Sequence, residues 1–375
     1  MRTFLCHCGN RLYFENTVCY GCGLDVGYLP DRQELAALRQ VDGRLWEAES
    51  HEGRAGRYRK CVNYEVQQVC NWMVPALDNE PFCHACRLNR VIPDLSVPDN
   101  RQRWFHVEQA KRRLVYTLDA LALPVFGKSV DSIKGLAFEF LHGPVGGSDE
   151  FLSEMDSQTS VVTGHGSGVI TINIEEADPE ALERMRAQMG EAYRTLLGHF
   201  RHESGHYYWD LLVRDTPWAD RFRRLFGDER ADYEGALSAY YRDGPVAGWP
   251  ASHISAYAAS HPWEDWAESW AHYLHMADSL ETARDMELSV RGRRVDDMAA
   301  GDRPQLDSAL KYWGELATAL NALNRSMGLA DAYPFAISST VADKLQLIGE
   351  VIASARRAAH SPPPNRSEEV PTGPS

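Results

Sequence analysis

The sequence predicts an α+β protein, in which a cysteine-rich N-terminal region precedes a mainly helical part with a small mixed sheet. The chain has 375 residues, of which 44% are apolar and 25% charged, an ordinary composition for folded domains. All eight cysteines lie within the first 86 residues. Beyond them, one helical stretch and strand-like alternation come first and helical periodicity dominates the remainder, an order that favours α+β over a doubly wound sheet.

The charge and hydropathy of the chain exclude several classes of function. The formal net charge is −14, from 39 basic and 53 acidic residues, so nucleic acid is not expected as a partner. Because no run of apolar residues is long enough to span a bilayer, no membrane association is expected. The N-terminal residues run straight into Cys6 without a signal-peptide pattern, which predicts a cytoplasmic protein.

A Pro/Asp/Asn-rich stretch over residues 92–100 reads as a linker and divides the chain. We therefore expect a cysteine-rich region over 1–95 and a second domain over 101–358. The Pro/Ser-rich residues 360–375 have the composition of a disordered tail.

Apolar periodicity predicts the elements of the second domain. A helix is expected from Trp104 to Leu123, and a strand where Leu136, Phe138 and Phe140 alternate with other residues. A hairpin is expected with strands over 160–163 and 169–174 around a turn at 164–168. Further helices are expected at about 179–213, 217–226, 229–241, 262–282, 306–325 and 339–359.

The cysteines form two sets with the spacing of zinc ligands. They are Cys6, Cys8, Cys19 and Cys22 in the first set, and Cys61, Cys70, Cys83 and Cys86 in the second. Zinc prefers four tetrahedral ligands, and four thiolates leave no open position, so both sites are predicted to be structural. Free or disulfide-bonded cysteines are the alternative, but disulfides need an oxidising compartment. Zinc ribbons often bind other macromolecules, and a protein partner is expected for this one.

A second motif, His202-Glu203-Ser204-Gly205-His206, has the pattern HExxH. On a helix, positions i and i+4 share a face, so both imidazoles can reach one metal ion. Glu203 then stands where a general base could act on a water molecule. Asp210, one turn beyond His206, either orients that histidine or is simply solvated.

The third metal ligand is expected from a later helix. Glu264 and Glu268 stand one turn apart after Pro262, which suits a first helical turn. An exposed acidic first turn that stabilises the helix dipole is the alternative. Ile170, Ile172 and Ile174 alternate as in a strand, which is either a sheet edge that pairs with substrate beside the metal or a buried central strand.

Tyr257, Glu264 and the following Ala267-Glu268 resemble the motifs of lethal-factor-type gluzincins. This resemblance implies that Glu264 is the third zinc ligand, that Glu268 supports the ligands from behind, and that Tyr257 donates to the oxyanion of the transition state. It covers two motifs and leaves the choice between Glu264 and Glu268 to be tested.

A longer stretch of the chain resembles an uncharacterised bacterial family of zinc metallopeptidases with an N-terminal zinc ribbon. The resemblance spans about residues 1 to 345 and implies a zincin-like peptidase domain. It rests on these motifs: Cys6-x-Cys8-Gly9-Asn10, Phe14-Glu15-Asn16, Phe82-Cys83-x-x-Cys86-Arg87-Leu88-Asn89-Arg90, Ala110-Lys111-Arg112-Arg113-Leu114-Val115-Tyr116 and His206-Tyr207-Tyr208-Trp209-Asp210.

Two functions follow from these patterns. The first is a zinc-dependent peptidase that cleaves a peptide or protein substrate, with one catalytic zinc held by His202, His206 and Glu264 and two structural zincs held by cysteines. The second is a catalytically silent scaffold that acts through its zinc ribbons. The intact Glu203 favours the enzyme, because a scaffold needs no acid between the two histidines.

Overall fold

The computed structural model describes residues 1–143, 163–189, 195–293 and 303–360. Within them the chain forms a cysteine-rich region of short strands followed by a mostly helical part with a second small sheet, so the predicted α+β class is confirmed. The tail expected over 360–375 lies, except for its first residue, outside the described residues. No described helix combines the length and the hydropathy that a membrane span requires.

The cysteine-rich region contains a five-stranded antiparallel sheet, which was not expected from the sequence. The strands follow one another in chain order, and a bridge between Tyr28 and Trp72 brings the two outer strands together. A two-stranded ribbon precedes the sheet. The strands are β1 (Phe4–Leu5), β2 (Arg11–Leu12), β3 (Asp25–Leu29), β4 (Glu34–Asp42), β5 (Leu45–Ser50), β6 (Gly53–Lys60) and β7 (Met73–Pro75).

The second sheet is mixed and has the order β10-β11-β9-β8. Its strands are β8 (Asn89–Val91), β9 (Ala137–Leu141), β10 (Gly164–Gly166) and β11 (Val169–Asn173). The strand expected around Phe138 is present as β9. The expected hairpin is shifted, because β10 occupies positions assigned to the turn. The turn is shorter, with Ser167 and Gly168 both at positive φ, the geometry of a two-residue hairpin loop. Residues 160–162 lie outside the described part.

Helices make up most of the second half. They are α1 (Val62–Glu65), α2 (Asn100–Ala120), α3 (Pro179–Met189), α4 (Leu196–Leu212), α5 (Trp218–Phe226), α6 (Tyr233–Asp243), α7 (Pro262–Asp285), α8 (Arg303–Ser326) and α9 (Ser339–His360). The prediction of a single helix over 179–213 is wrong. Thr195 has an extended backbone and its side chain accepts a hydrogen bond from the Gly198 N–H, so a new helix begins there.

Helices α4 and α7 pack together at unusually short range. A Cβ atom placed on Gly205 of α4 would lie 2.8 Å from Cα of Ala267 on α7, so only glycine permits this approach. Two buried indoles of α7 form hydrogen bonds across this contact. Trp266 donates a hydrogen bond to the Gly205 carbonyl at 3.0 Å, and Trp270 donates one to Ser204 Oγ at 3.1 Å. The close crossing brings the HExxH segment opposite the first turns of α7.

The cysteine-rich region and the helical part share one hydrophobic core. Phe14 and Tyr28 of the N-terminal region pack against Tyr116 of α2, with ring centroids 5.2 and 6.1 Å apart. Arg113 of α2 also pairs with Glu15 at 2.5 Å. The linker in the sequence therefore joins two packed parts.

Candidate metal centres and active site

The first cysteine set converges on a small space near the N-terminus. The four sulfur atoms of Cys6, Cys8, Cys19 and Cys22 lie within 4.8 Å of one another, and all are free thiols. Gly21 lies against them, since a Cβ atom there would be 3.3 Å from Cys8 Sγ. Four converging sulfurs are a donor set that suits tetrahedral zinc.

The second cysteine set is fully buried, between the first sheet and α2. The sulfurs of Cys61, Cys70, Cys83 and Cys86 also lie within 4.8 Å of one another. Behind them is a buried ion pair in which Lys111 Nζ lies 2.9 Å from Glu108 Oε2, with both side chains inaccessible to solvent. Glu108 Oε2 is in turn 3.9 Å from Cys86 Sγ. The second cysteine set thus touches the helical part directly.

The third cluster unites His202, His206 and Glu264. Nε2 of His202 lies 3.0 Å from Oε2 of Glu264, and Nε2 of His206 lies 3.5 Å from Oε1. Two ligands bound tetrahedrally at ~2.1 Å would stand about 3.4 Å apart, close to these separations. Among the described residues, no side chain makes a hydrogen bond of good geometry to the buried Oε2 of Glu264, as expected for an oxygen whose natural partner is a metal ion. These residues fit zinc.

Glu268 supports the cluster from the other side of His202. Nδ1 of His202 lies 2.7 Å from Oε1 of Glu268, and Ser255 Oγ donates to Oε2 at 2.6 Å. Because a carboxylate only accepts, the Nδ1 proton points at Glu268 and Nε2 is left for a metal. Burial opposes ionisation of Glu268, but the hydrogen bond from His202 lowers its pKa to about 2.

The electrostatics of the cluster favour negative carboxylates. Burial alone would raise the pKa of Glu264, but the imidazoles of His206 and His202 hold that pKa well below its usual range. Burial likewise opposes protonation of His202, whose pKa the two glutamates nevertheless raise well above normal. A site that attracts positive charge this strongly is suited to a divalent cation.

The structure brings most of the other predicted residues to this place. Glu203 is buried on α4 between the two histidines. The ring of Tyr257 lies 5.9 Å from that of His202, between centroids. Asp210 forms an ion pair with Arg214 at 2.7 Å, and His206 Nδ1 is buried without a hydrogen bond, so the structure shows no bond through which Asp210 orients His206.

Sequence reasoning missed two aromatic residues of the site. Tyr233 of α6 donates its hydroxyl to Glu264 Oε1 at 2.7 Å. Trp263 packs on His206 with centroids 4.0 Å apart. Trp263 could have been found, because it directly precedes Glu264. Tyr233 carries no such signal, since it lies 31 positions before Glu264 in a helix with no fully buried residue.

The isoleucine strand β11 is not a sheet edge. It lies between β10 and β9 and pairs with both, so the buried central-strand alternative is the correct one. The outer strand nearest the cluster is β10, whose His165 ring stacks 6.4 Å from that of His206.

Fold and site together define a class: a cysteine-rich region with two candidate zinc sites, joined to a mainly helical α+β domain that carries a histidine–glutamate cluster suited to a metal ion. The chain belongs to the family described as "Putative zinc-binding metallo-peptidase", whose model matches residues 100–351. A zinc-ribbon domain model matches residues 3–97. The predicted family and its ribbon are therefore confirmed.

The chain is also similar to uncharacterized proteins of Mycobacterium bovis and Mycobacterium tuberculosis. Each is 38% identical over 355 residues, which cover 94% of this chain and 95% of the relative. No solved structure matches the chain.

Proposed function

We propose that this protein is a zinc-dependent peptidase in which His202, His206 and Glu264 hold the catalytic zinc. The observation that carries the proposal is the convergence of both Nε2 atoms on the carboxylate of Glu264, with Glu203 buried between the histidines. Three protein ligands leave one position open, which is the arrangement of catalytic rather than structural zinc.

When bound, zinc would supply Lewis-acid polarisation of the scissile carbonyl and make a water molecule acidic enough to attack at neutral pH. Glu203 accepts the proton of the attacking water and then delivers it to the leaving amine. Glu268 holds His202 in the tautomer that presents Nε2, through the 2.7 Å contact at Nδ1.

A tyrosine hydroxyl donates a hydrogen bond to the carbonyl oxygen as negative charge develops on it. Tyr257 is the candidate that the motif resemblance implies. Tyr233 is a second candidate, because its hydroxyl already lies 2.7 Å from a ligand oxygen. Each would act as a hydrogen-bond donor, so a phenylalanine in its place tests the role.

The two cysteine sets hold structural zincs in this proposal. Each offers four thiolates and therefore leaves no open position for a water molecule or a substrate. The protein would therefore carry three zinc ions, of which only one takes part in the reaction.

Metal analysis and a peptide digest test the proposal. We expect three zincs per purified chain and cleavage within an unbiased peptide library, which Glu203→Gln abolishes while three zincs remain. Glu180→Gln, the same change at an exposed position of α3, is the matched control that retains cleavage. Two zincs per chain, or equal cleavage by the wild type and Glu203→Gln, would contradict an enzyme and favour the scaffold function.

A further inference from the structure

A cavity of about 520 Å³ lies beside the candidate metal centre, among α4, α5, α6 and the start of α7. This size is within the roughly 300–1,000 Å³ of ligand-binding pockets. Its apolar wall is formed by Trp209, Ala219, Tyr233 and Trp263. We call it the α5–α6 cavity after two of the helices that line it.

Its wall is continuous with the metal ligands. Tyr233 lines the cavity and donates to Glu264, and Trp263 lines it and packs on His206. Trp209 follows His206 by one turn on α4. A peptide whose scissile carbonyl reaches the ligands therefore has a neighbouring side chain within reach of the cavity.

The charges around the cavity are largely balanced. Three arginines line it, and each has a carboxylate partner: Arg214 pairs with Asp210 at 2.7 Å, Arg223 with Glu229 at 2.5 Å and Arg230 with Asp228 at 2.8 Å. Paired guanidinium groups offer little extra attraction to an anion. Asp215 also lines the cavity, but it is exposed, and water screens its charge. The aromatic side chains of the wall therefore determine which kind of ligand group the cavity binds.

We propose that the α5–α6 cavity binds an aromatic or large aliphatic side chain of the peptide substrate, next to the bond that is cleaved. This inference rests on the proposed function, since it needs the scissile bond at His202, His206 and Glu264. Burial of an apolar side chain against these rings supplies binding free energy, and the two residues shared with the metal site place the substrate for reaction.

Hydroxamates test the inference by binding, independently of turnover. Peptide hydroxamates are titrated into the zinc-loaded full chain, and their affinities are measured by calorimetry. Each compound carries a methyl, benzyl or aminobutyl side chain. In one series this side chain lies on the N-terminal side of the chelating group, and in the other series on its C-terminal side. We expect the benzyl compound to bind roughly 10-fold or more tightly than the methyl compound in one series. Ala219→Leu, which fills the cavity, should remove this preference and leave the affinity for the methyl compound unchanged.

Ala322→Leu adds the same side chain to an exposed position of α8 outside the cavity and should keep the preference. If Ala219→Leu does not retain zinc, the smaller Ala219→Val serves in its place. A benzyl preference that survives the filled cavity, no preference in either series, or tighter binding of the aminobutyl compound would overturn the inference. Failure of every hydroxamate to bind a chain with only two zincs would instead overturn the proposed function.

Discussion

Substitution of Gly205 by alanine tests whether the close crossing of α4 and α7 forms the metal site. The added Cβ would lie 2.8 Å from Cα of Ala267 and 3.2 Å from both its carbonyl oxygen and Cβ of Trp270. Non-bonded carbons pack at about 3.5–4.0 Å, so the helices must separate there by roughly 0.7 Å or more. Two of these three contacts are backbone atoms, which cannot rotate away as a flexible side chain would.

A separation of this size exceeds the tolerance of a metal site, which is about 0.5 Å. We expect Gly205→Ala to weaken zinc binding at His202, His206 and Glu264 by roughly 10- to 100-fold, the effect of losing groups that support ligands. The free energy of unfolding should fall by about 1–3 kcal/mol, because the overpacked contact outweighs the better helix propensity of alanine.

Competition with a chromogenic chelator measures the affinity, and the cysteine-bound zincs of the same chain serve as an internal reference. Gly314→Ala is the matched control, since a Cβ atom on this α8 glycine meets nothing within 4 Å. It should raise the free energy of unfolding by up to about 1 kcal/mol and leave zinc binding unchanged. If Gly205→Ala binds all three zincs as tightly as the wild type, the crossing does not determine the site.

Three further predictions concern the two glutamates, the two tyrosines and the buried lysine. Glu264→Gln should lose the third zinc, whereas Glu268→Gln should weaken its binding by about 10- to 100-fold, as measured by chelator competition; the reverse order would exchange their roles. Of Tyr233→Phe and Tyr257→Phe, the one that removes the oxyanion donor should lower kcat by roughly 100-fold with zinc retained, and a loss of less than tenfold in both would exclude a tyrosine donor. Lys111→Met leaves a buried carboxylate unpaired and should lower the free energy of unfolding in urea by about 3–5 kcal/mol; no change would show that the pair is dispensable.

The sequence predicts the long helices well because their apolar stripes repeat over several turns. Trp266, Trp270, Tyr273 and Leu274 of α7 recur at helical spacing, and each is buried. The start of α4 as a separate helix is not predicted, because apolar residues continue at helical spacing across residues 190–195. The N-cap at Thr195 is the local feature that marks the new helix. Local hydrogen bonds determine where a helix begins, and the periodicity of apolar residues carries no information about these bonds.

The five-stranded sheet could not be predicted from alternation. Leu35, Ala36, Ala37 and Leu38 of β4 are buried consecutively, whereas half of β6 is exposed and Tyr58 is its one fully buried residue. Neither pattern has the period of two that marks a half-buried strand. Cysteine spacing suggested zinc knuckles in this region, and it carried no information on the strands between them.

The candidate site was predictable to the extent that its residues lie on two helices with regular spacing. The different positions of Glu264 and Glu268 depend on three-dimensional packing: Glu264 approaches both Nε2 atoms, and Glu268 approaches Nδ1 of His202. The contribution of Tyr233 depends on how α6 lies across the site. No local pattern in the sequence encodes that placement.

Strand β8 has a consequence for how this chain can be divided. Asn89 and Val91 follow directly after Cys86 of the second cysteine set, yet they pair with β9 in the sheet of the helical part. A truncation at residue 95 would therefore strip the outermost strand from that sheet and expose the ladder of β9. Expressed separately, the cysteine-rich region and the helical part would be two incomplete molecules, and disruption of the second cysteine set would loosen a strand that belongs to the sheet of the helical part.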